Sequence, residues 1–470
     1  MKKHTRKKRS VVAVCLLTLV SSAFRLNAAP TESIRPNILF IAIDDLRPEL
    51  GCYGAAQIKT PNIDRFAEQA LVFNRAYCQV PVCGASRASL MTGVLPTKKR
   101  FVNFASWAEK DVSQAATLPQ MFKEAGYTTL ASGKVFHHSE DTAERSWSEE
   151  VWHAPGVGHT YNLDPATTNQ ISKRGMGRIY EMPDVADDAY SDGKTAQRTI
   201  ADLKRLKVSG KPFFYACGFI RPHMPFYAPK KYWDLYERDK IQLADNPERP
   251  ENAPKALRGS TEYKSYLPGE YKYGSEAWQR MMRHGYFAST SYADQLTGDV
   301  LNALDELGLA ENTIVVIWGD HGWHLGEHGF WGKHNTMYKA LQVPLIMRVP
   351  GEQGGKTEAI VEVTDLFPTL CSLAGITAPE TAQGKSFEVL FADPAQDFRD
   401  FAYSRFKSAD AVVTKRFNYS RFENGETMLY DREKDPDENI NEAGNPEYRD
   451  VIVKLEHMLD EKIKLAKQIE

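Results

Sequence analysis

Ile38-Leu39-Phe40-Ile41-Ala42-Ile43-Asp44-Asp45 is a run of six apolar residues that ends, without a break, in two carboxylates. An apolar run of that length with no alternation predicts a strand covered on both faces, as in a parallel sheet flanked by helices. The same arrangement recurs along the chain. Thr313 to Trp318 runs into Gly319-Asp320-His321, Tyr127 to Ala131 into Ser132-Gly133-Lys134-Val135-Phe136-His137, and Phe213 to Phe219 into Arg221-Pro222-His223. Val343 to Val349 reads as a further strand. Between these runs lie helical segments at Pro61 to Ala70 (Thr60 as N-cap), Leu118 to Ala125, Tyr286 to Leu307 and Asp365 to Ala374. The alternation predicts an α/β fold, a large mixed, mostly parallel sheet sandwiched by helices.

Beyond residue 388 the texture changes. Asp400 to Arg405, Ala411 to Arg421 and Thr427 to Tyr430 read as short antiparallel strands. The chain then closes in an amphipathic helix with Ile452, Leu455, Leu459 and Ile463 on one face. The expected organisation is a leader at 1–29, a catalytic domain at 30–388 and a smaller α+β subdomain at 389–470. Residues 140–200 and 226–285 read as long irregular segments, which in a compact domain tend to be functional.

The leader carries Lys2, Lys3, Arg6, Lys7, Lys8 and Arg9, then the apolar stretch Val11 to Val20 and the small residues Asn27-Ala28-Ala29. That is the pattern of a secretory signal peptide, which implies a secreted or periplasmic protein, and no later stretch reads as a membrane span. Its removal takes away seven basic residues (Arg25 included) and no acidic ones, so the formal net charge moves from −2 to −9. A chain this acidic is not a nucleic-acid binder, and an anionic substrate needs a local pocket of positive charge. Five cysteines then remain, Cys52, Cys78, Cys83, Cys217 and Cys371. Their spacing specifies neither a disulfide framework nor a zinc site, and their pairing stays open.

In an open α/β sheet, ligands sit beyond the carboxyl ends of the strands, and here those ends carry the chemistry. Asp44, Asp45 and Asp320 put three carboxylates at one sheet edge, which would repel one another without a cation. Hard oxygen ligands favour calcium or magnesium, and His321 as a further ligand leaves the metal open. His324 and His328 fall in a glycine-rich loop rather than on a helix, and are read as lying outside the metal shell. Arg87, Lys134, His137, His223 and Lys333 supply the positive pocket. Cys83-Gly84-Ala85-Ser86-Arg87 opens a helix that ends near Thr92-Gly93, placing a cysteine and a guanidinium where helix N–H groups face an anion.

These motifs in this order resemble the type I sulfatases of the alkaline phosphatase superfamily, and most of all the iduronate-2-sulfatase group. The similarity covers about residues 35 to 375. It includes Asp44-Asp45-Leu46-Arg47-Pro48, the Cys83 signature, Gly133-Lys134-Val135-Phe136-His137, Arg221-Pro222-His223-Met224-Pro225-Phe226 and Gly319-Asp320-His321-Gly322. The resemblance implies that Cys83 is oxidised to formylglycine by a maturation enzyme. It implies a calcium ion held by Asp44, Asp45, Asp320 and His321 that also touches residue 83. Arg87 would hold the formylglycine hydrate, and Lys134, His223 and Lys333 would grip the sulfate. His223 would protonate the leaving alcohol and His137 would take the proton that regenerates the aldehyde. The implied substrate is a sulfated saccharide, with 2-O-sulfated uronate the leading candidate; the acidic chain, the local positive pocket and the irregular segments 140–200 and 226–285 expected to wall it predict attack on the terminal residue. Two positions depart from the pattern. Ala85 stands where proline is commoner, and His138-Ser139 where Pro-Gly is usual, at the substrate rim. A phosphodiesterase or phosphonate hydrolase on the same scaffold, or a non-catalytic glycan binder with Cys83 unmodified, are the alternatives.

Overall fold

The computed structural model describes residues 1–2, 35–155 and 170–469, so the leader read over residues 1–29 lies, from residue 3 onward, outside the described residues. From Arg35 the chain forms one compact unit. Its main sheet is built from β1 (Asn37–Ile43), β2 (Leu71–Tyr77), β3 (Thr128–Gly133), β4 (Phe213–Phe219), β5 (Thr313–Gly319), β6 (Gln342–Val343), β7 (Leu345–Arg348) and β8 (Gly355–Glu362). The order is β6-β2-β7-β5-β1-β4-β3, with β8 also paired to β2. β5, β1, β4 and β3 are mutually parallel, while β7 runs antiparallel to both β5 and β2.

The unbroken apolar character of β1 reflects two cores. Ile38, Phe40 and Ala42 belong to one and Leu39, Ile41 and Ile43 to the other, all fully buried. Side chains alternate across a strand, so a sheet covered on both faces needs apolar residues at every position. One face is covered by α2 (Cys83–Thr92) and α3 (Leu118–Glu124) together with the helix Leu366–Leu373. The other is covered by α1 (Pro61–Ala67) and the helices Ser191–Ser209 and Glu276–Glu306. Burying a single Ile, Leu or Phe side chain contributes roughly 1.5–3 kcal/mol, and β1, β4 and β5 are buried at every position.

After residue 400, β9 (Phe401–Phe406), β10 (Ala409–Thr414), β11 (Phe417–Phe422) and β12 (Thr427–Asp431) form a four-stranded antiparallel sheet in sequence order. Tyr403, Val412, Tyr419 and Leu429 on one face meet Leu455 and Leu459 of the helix Arg449–Ala466. The buried Lys462 of that helix donates to Glu362 Oε2 of β8 at 2.7 Å, which pins this layer to the main sheet. Among the described residues no helix is long and apolar enough to cross a membrane.

Four local readings are corrected. Residues 191–200, read as irregular, belong to the helix Ser191–Ser209, whose buried side includes Thr195, Ala196, Thr199, Asp202, Leu203 and Leu206. The spacing is helical, but half of that face is polar. The helix read from Tyr286 begins at Glu276, where Ser275 accepts a hydrogen bond from Trp278 N–H. The strand read over Ala411 to Arg421 is a hairpin, and Pro344 splits the one read over Val343 to Val349. β2 and β8 were not read from the sequence as strands.

Candidate active site

The parallel pairing brings four strand ends into line. Ile43 is in register with both Phe219 and Gly319, and Gly133 with Gly218. Asp44, Asp320, Lys134 and the turn to His223 therefore leave the sheet at one edge. Gly133 has φ +71°, and a Cβ at either Gly133 or Gly218 would lie about 2 Å from backbone of the neighbouring strand end. Only glycine lets the Lys134 backbone cross there. Asp45 itself has φ +58°, a left-handed conformation that aspartate tolerates better than most residues. It is held by its own N–H donating to Asp320 Oδ1 at 2.9 Å and by the Tyr286 hydroxyl donating to its carbonyl at 2.9 Å.

Cys83 is the first residue of α2, after an extended Val82, and the whole helix is buried. Its sulfur lies 3.3 Å from His321 Nε2, 3.2 Å from Lys333 Nζ and 3.7 Å from Asp45 Oδ1. One turn on, the Arg87 guanidinium donates through Nε to Asp320 Oδ2 at 3.0 Å and through a terminal nitrogen to Asp44 Oδ1 at 2.9 Å. Its other terminal nitrogen donates to the carbonyls of Lys134 and Val135. Lys134 Nζ pairs with Asp44 Oδ2, and Lys333 Nζ donates to Asp45 Oδ1 at 2.6 Å.

The carboxylates are not equivalent. Burial alone would raise Asp44, but Lys134 and Arg87 override it and hold the carboxyl well below the usual range. Burial raises Asp45 well above that range, with Lys333 opposing and Asp44 and Glu262 adding to the rise. Asp320 is pushed up to about 7 by burial and by Asp44, against Arg87. Asp45 Oδ2 is buried and has no hydrogen-bond partner among the described residues. A cluster whose charges are only partly compensated, with one carboxylate oxygen orphaned, has the donor chemistry of a hard-cation site. Asp44, Asp45, Cys83 and His223 present ligand atoms within 4.8 Å of one another, as do Cys83, Asp320 and His321. His321 Nδ1–H donates to the Gly322 carbonyl at 3.0 Å, leaving Nε2 to face the cluster.

His223 is likewise fixed, its Nδ1–H donating to the Met224 carbonyl at 2.5 Å, with Nε2 turned to Asp45 Oδ2 at 3.8 Å and Glu262 Oε1 at 3.3 Å. Burial, then Lys134, lower His137 to about 3, and its Nδ1 is buried without a hydrogen-bond partner among the described residues. His138, one of the departures from the family pattern, stacks on Trp107 with ring centroids 4.4 Å apart. His324 lies within hydrogen-bonding distance of Asn335, and His328 Nε2–H donates to the Asp437 carbonyl at 2.8 Å, beside Asn246. Neither histidine belongs to a candidate metal cluster among the described residues. All five cysteines described are free thiols. Glu262 was missed. It faces both His223 and Lys333, Oε2 lying 3.6 Å from Lys333 Nζ, yet it falls in a polar stretch with no motif to single it out.

Residues 36–376 match the sulfatase family model, and residues 326–465 the model for the C-terminal region of N-sulphoglucosamine sulphohydrolase. This chain belongs to the sulfatase family. Mouse iduronate 2-sulfatase is 36% identical over 422 residues, covering 81% of this chain and 75% of its own length. The solved structure of a 2-O GAG sulfatase superposes with a TM-score of 0.72 at 25% identity, over 92% of this chain and 93% of that one. A phosphonate monoester hydrolase from Silicibacter pomeroyi superposes with a TM-score of 0.73 at 22% identity, over 93% and 96%, and so shares the fold. The expected alkaline-phosphatase-like α/β architecture and the resemblance to iduronate-2-sulfatases are both borne out, and this sulfatase is a sulfuric ester hydrolase.

Proposed function

We propose that this sulfatase releases sulfate from the terminal residue of sulfated saccharides, using residue 83 as formylglycine and one calcium ion, after export by its leader. 2-O-sulfated uronate is the leading substrate, by likeness to mouse iduronate 2-sulfatase and the 2-O GAG sulfatase. The observation that carries the reading is the Cys83 sulfur, 3.2 Å from Lys333 and 3.3 Å from His321 at the start of a buried helix. Burial and Asp44 push its thiol well above the ordinary value despite Lys333 and Lys134. An unmodified thiol there would be protonated and a poor nucleophile, so the position makes chemical sense for a modified residue.

Asp44, Asp45, Asp320 and His321 would hold the cation beside residue 83. Three carboxylates, an imidazole nitrogen and an orphaned carboxylate oxygen fit calcium, with magnesium the alternative. Bound there, the ion would lower the pKa of a hydroxyl on residue 83 and offset charge on the sulfuryl oxygens. Lys134 and Lys333 supply fixed cations where charge grows on the transferred group. His223, its Nδ1–H committed to a carbonyl, presents Nε2 to the leaving alcohol and donates a proton there. His137 is kept unprotonated at neutral pH by its surroundings, and so is free to accept a proton from residue 83, though as a weaker base than an ordinary histidine.

The maturation is testable on one tryptic peptide, Ala76 to Arg87, which holds both Cys78 and Cys83. Fragmentation of the active protein should show a single thiol-to-aldehyde change at Cys83, with Cys78 as the internal control. Full activity with both thiols intact would overturn the formylglycine reading. A panel of defined sulfated saccharides, with a phosphonate monoester and a phosphodiester as comparators, should show faster release from the sulfate esters.

A further inference from the structure

We propose that Glu262 reads the substituent beside the scissile sulfate, accepting a hydrogen bond from a neighbouring hydroxyl or amino group and turning away substrates with a second anion there. The inference rests on the sulfatase reading above and concerns the same pocket.

Glu262 is a carboxylate among the groups that would bind an anion. Oε1 lies 3.3 Å from His223 Nε2 and Oε2 3.6 Å from Lys333 Nζ. The side chain is 23% exposed, against 6% for His223 and 2% for Lys333, so it stands at the open side of the two. Its turn is held in place. Tyr263 rests on Trp278 at 5.3 Å and Trp278 on Trp331 at 4.8 Å, and Trp331 lies two residues before Lys333. Gly332 has φ +95°, and a Cβ there would meet Ser260 Cβ at 3.0 Å. The Ser260 hydroxyl in turn accepts from Glu262 N–H at 3.2 Å. On the far side Ser172 donates to the Ser265 carbonyl at 2.6 Å, and Tyr266 to the Met224 carbonyl, next to His223, at 3.2 Å. The chain thus fixes Glu262 against both Lys333 and His223 from two directions.

A sulfate ester drawing on Lys333 and His223 competes with Glu262 for the same donors. Two anions side by side repel unless a donor comes between them. A carboxylate that loses its partners in a confined site is costly until it finds another. On a sulfated sugar, the donor nearest the ester is a hydroxyl or amine on the adjacent ring carbon. A vicinal sulfate or carboxylate there would meet Glu262 head-on, and a vicinal O-methyl would leave it unpaired.

The test uses the mature, metal-loaded enzyme and whichever sulfated saccharide it turns over. That substrate is compared with its vicinal O-methyl and vicinal O-sulfo derivatives, for wild type, Glu262→Gln and Glu262→Ala. Wild type should favour the free hydroxyl over both derivatives by roughly tenfold or more in kcat/KM. Glu262→Gln keeps an acceptor and loses the charge, so rejection of the O-sulfo derivative should weaken by roughly tenfold or more while the O-methyl preference largely remains. Glu262→Ala should lose both preferences. Wild type showing no preference overturns the proposal without any variant. So does an equal fall on all three substrates, which would make Glu262 a support for His223 and Lys333. A wild type that releases no sulfate from any ester would instead bring down the sulfatase reading itself.

Discussion

The Arg87 guanidinium donates to Asp44 Oδ1 at 2.9 Å, and neither side chain has any exposed surface. The same guanidinium holds Asp320 through Nε at 3.0 Å. Its charge is therefore spent on the carboxylates that would hold the metal and not on an open surface. Four of its donors are already engaged. Arg87 thus acts as the internal counter-charge of the cluster, in addition to any contact with residue 83.

Breaking a buried pair by removing one partner costs about 3–5 kcal/mol, because the remaining charges lose their compensation. Arg87→Ala should lower the unfolding free energy by about that much in denaturant titration. Arg87→Lys should recover only part of it, since an ammonium cannot span two carboxylates in the plane of a guanidinium. A loss under about 1 kcal/mol for Arg87→Ala would show that the carboxylates do not depend on it.

Metal removal should destabilise as well as inactivate. Asp45 and Asp320 are both raised by burial and by neighbouring carboxylates, so the cluster is poorly compensated without a cation. A ligand that binds only the folded state adds about 2.7 kcal/mol at a hundredfold excess over its Kd. Chelation should therefore lower the melting temperature, and calcium should restore it. Elemental analysis should give one equivalent of calcium. Stoichiometric zinc, or a melting temperature indifferent to chelation, would overturn the assignment.

What the sequence disclosed, and what it hid, follows from burial. β1 and β5 are covered on both faces, so every residue had to be apolar, and their ends are visible as the first polar residues. The helix at 191–209 was hidden because it meets the sheet through Thr195, Thr199 and Asp202, which satisfy one another and their neighbours by hydrogen bonds. Thr199 bonds Ser132 Oγ at 2.9 Å, and Asp202 accepts from Tyr215 at 3.1 Å. Strand ends placed Asp44, Lys134, His223 and Asp320 correctly at one edge because parallel pairing leaves no other arrangement. Glu262 comes from a long connection, whose approach to the site depends on an aromatic stack that no spacing rule encodes.

Acid should unfold this protein through its histidines. His137 and His334 are lowered to about 3 and His284 and His324 to about 4, each mainly by burial. An unfolded histidine titrates near 6.5. Between about 4 and 6.5 the unfolded chain thus binds more protons than the folded one at each site, and stability falls as pH drops through 6.5. Each such histidine contributes a slope of about 1.4 kcal/mol per pH unit in that window. The raised carboxyls Asp45, Asp320 and Asp294 oppose this trend, so the test is made on the metal-loaded protein, where a bound cation would keep Asp45 and Asp320 ionised: the unfolding free energy should be lower at pH 5 than at pH 7, and replacing the buried His284 with a neutral isostere should narrow the difference. A pH-independent stability over this range would refute the account.

The proposed exo-action rests on how deeply the sulfate-binding side chains sit. The side chains of Lys333, His223 and Lys134 are 2%, 6% and 16% exposed. A sulfate must enter the protein to reach all three, and an internal residue of a long chain would have to bring both its neighbours with it. With the proposed leader removed, the whole chain would carry a formal charge of −9, so a polyanion lying across the surface would be repelled. Sulfate should be released rapidly from defined di- and tetrasaccharides, slowly per sulfate from intact polymer, and faster again once a lyase has created new ends. Raising the ionic strength should narrow the gap between polymer and oligosaccharide only in part, since screening removes the repulsion but not the steric barrier. Equal rates per sulfate on intact and cut polymer would mean that the cations are reached from an open groove, and exo-action would be ruled out.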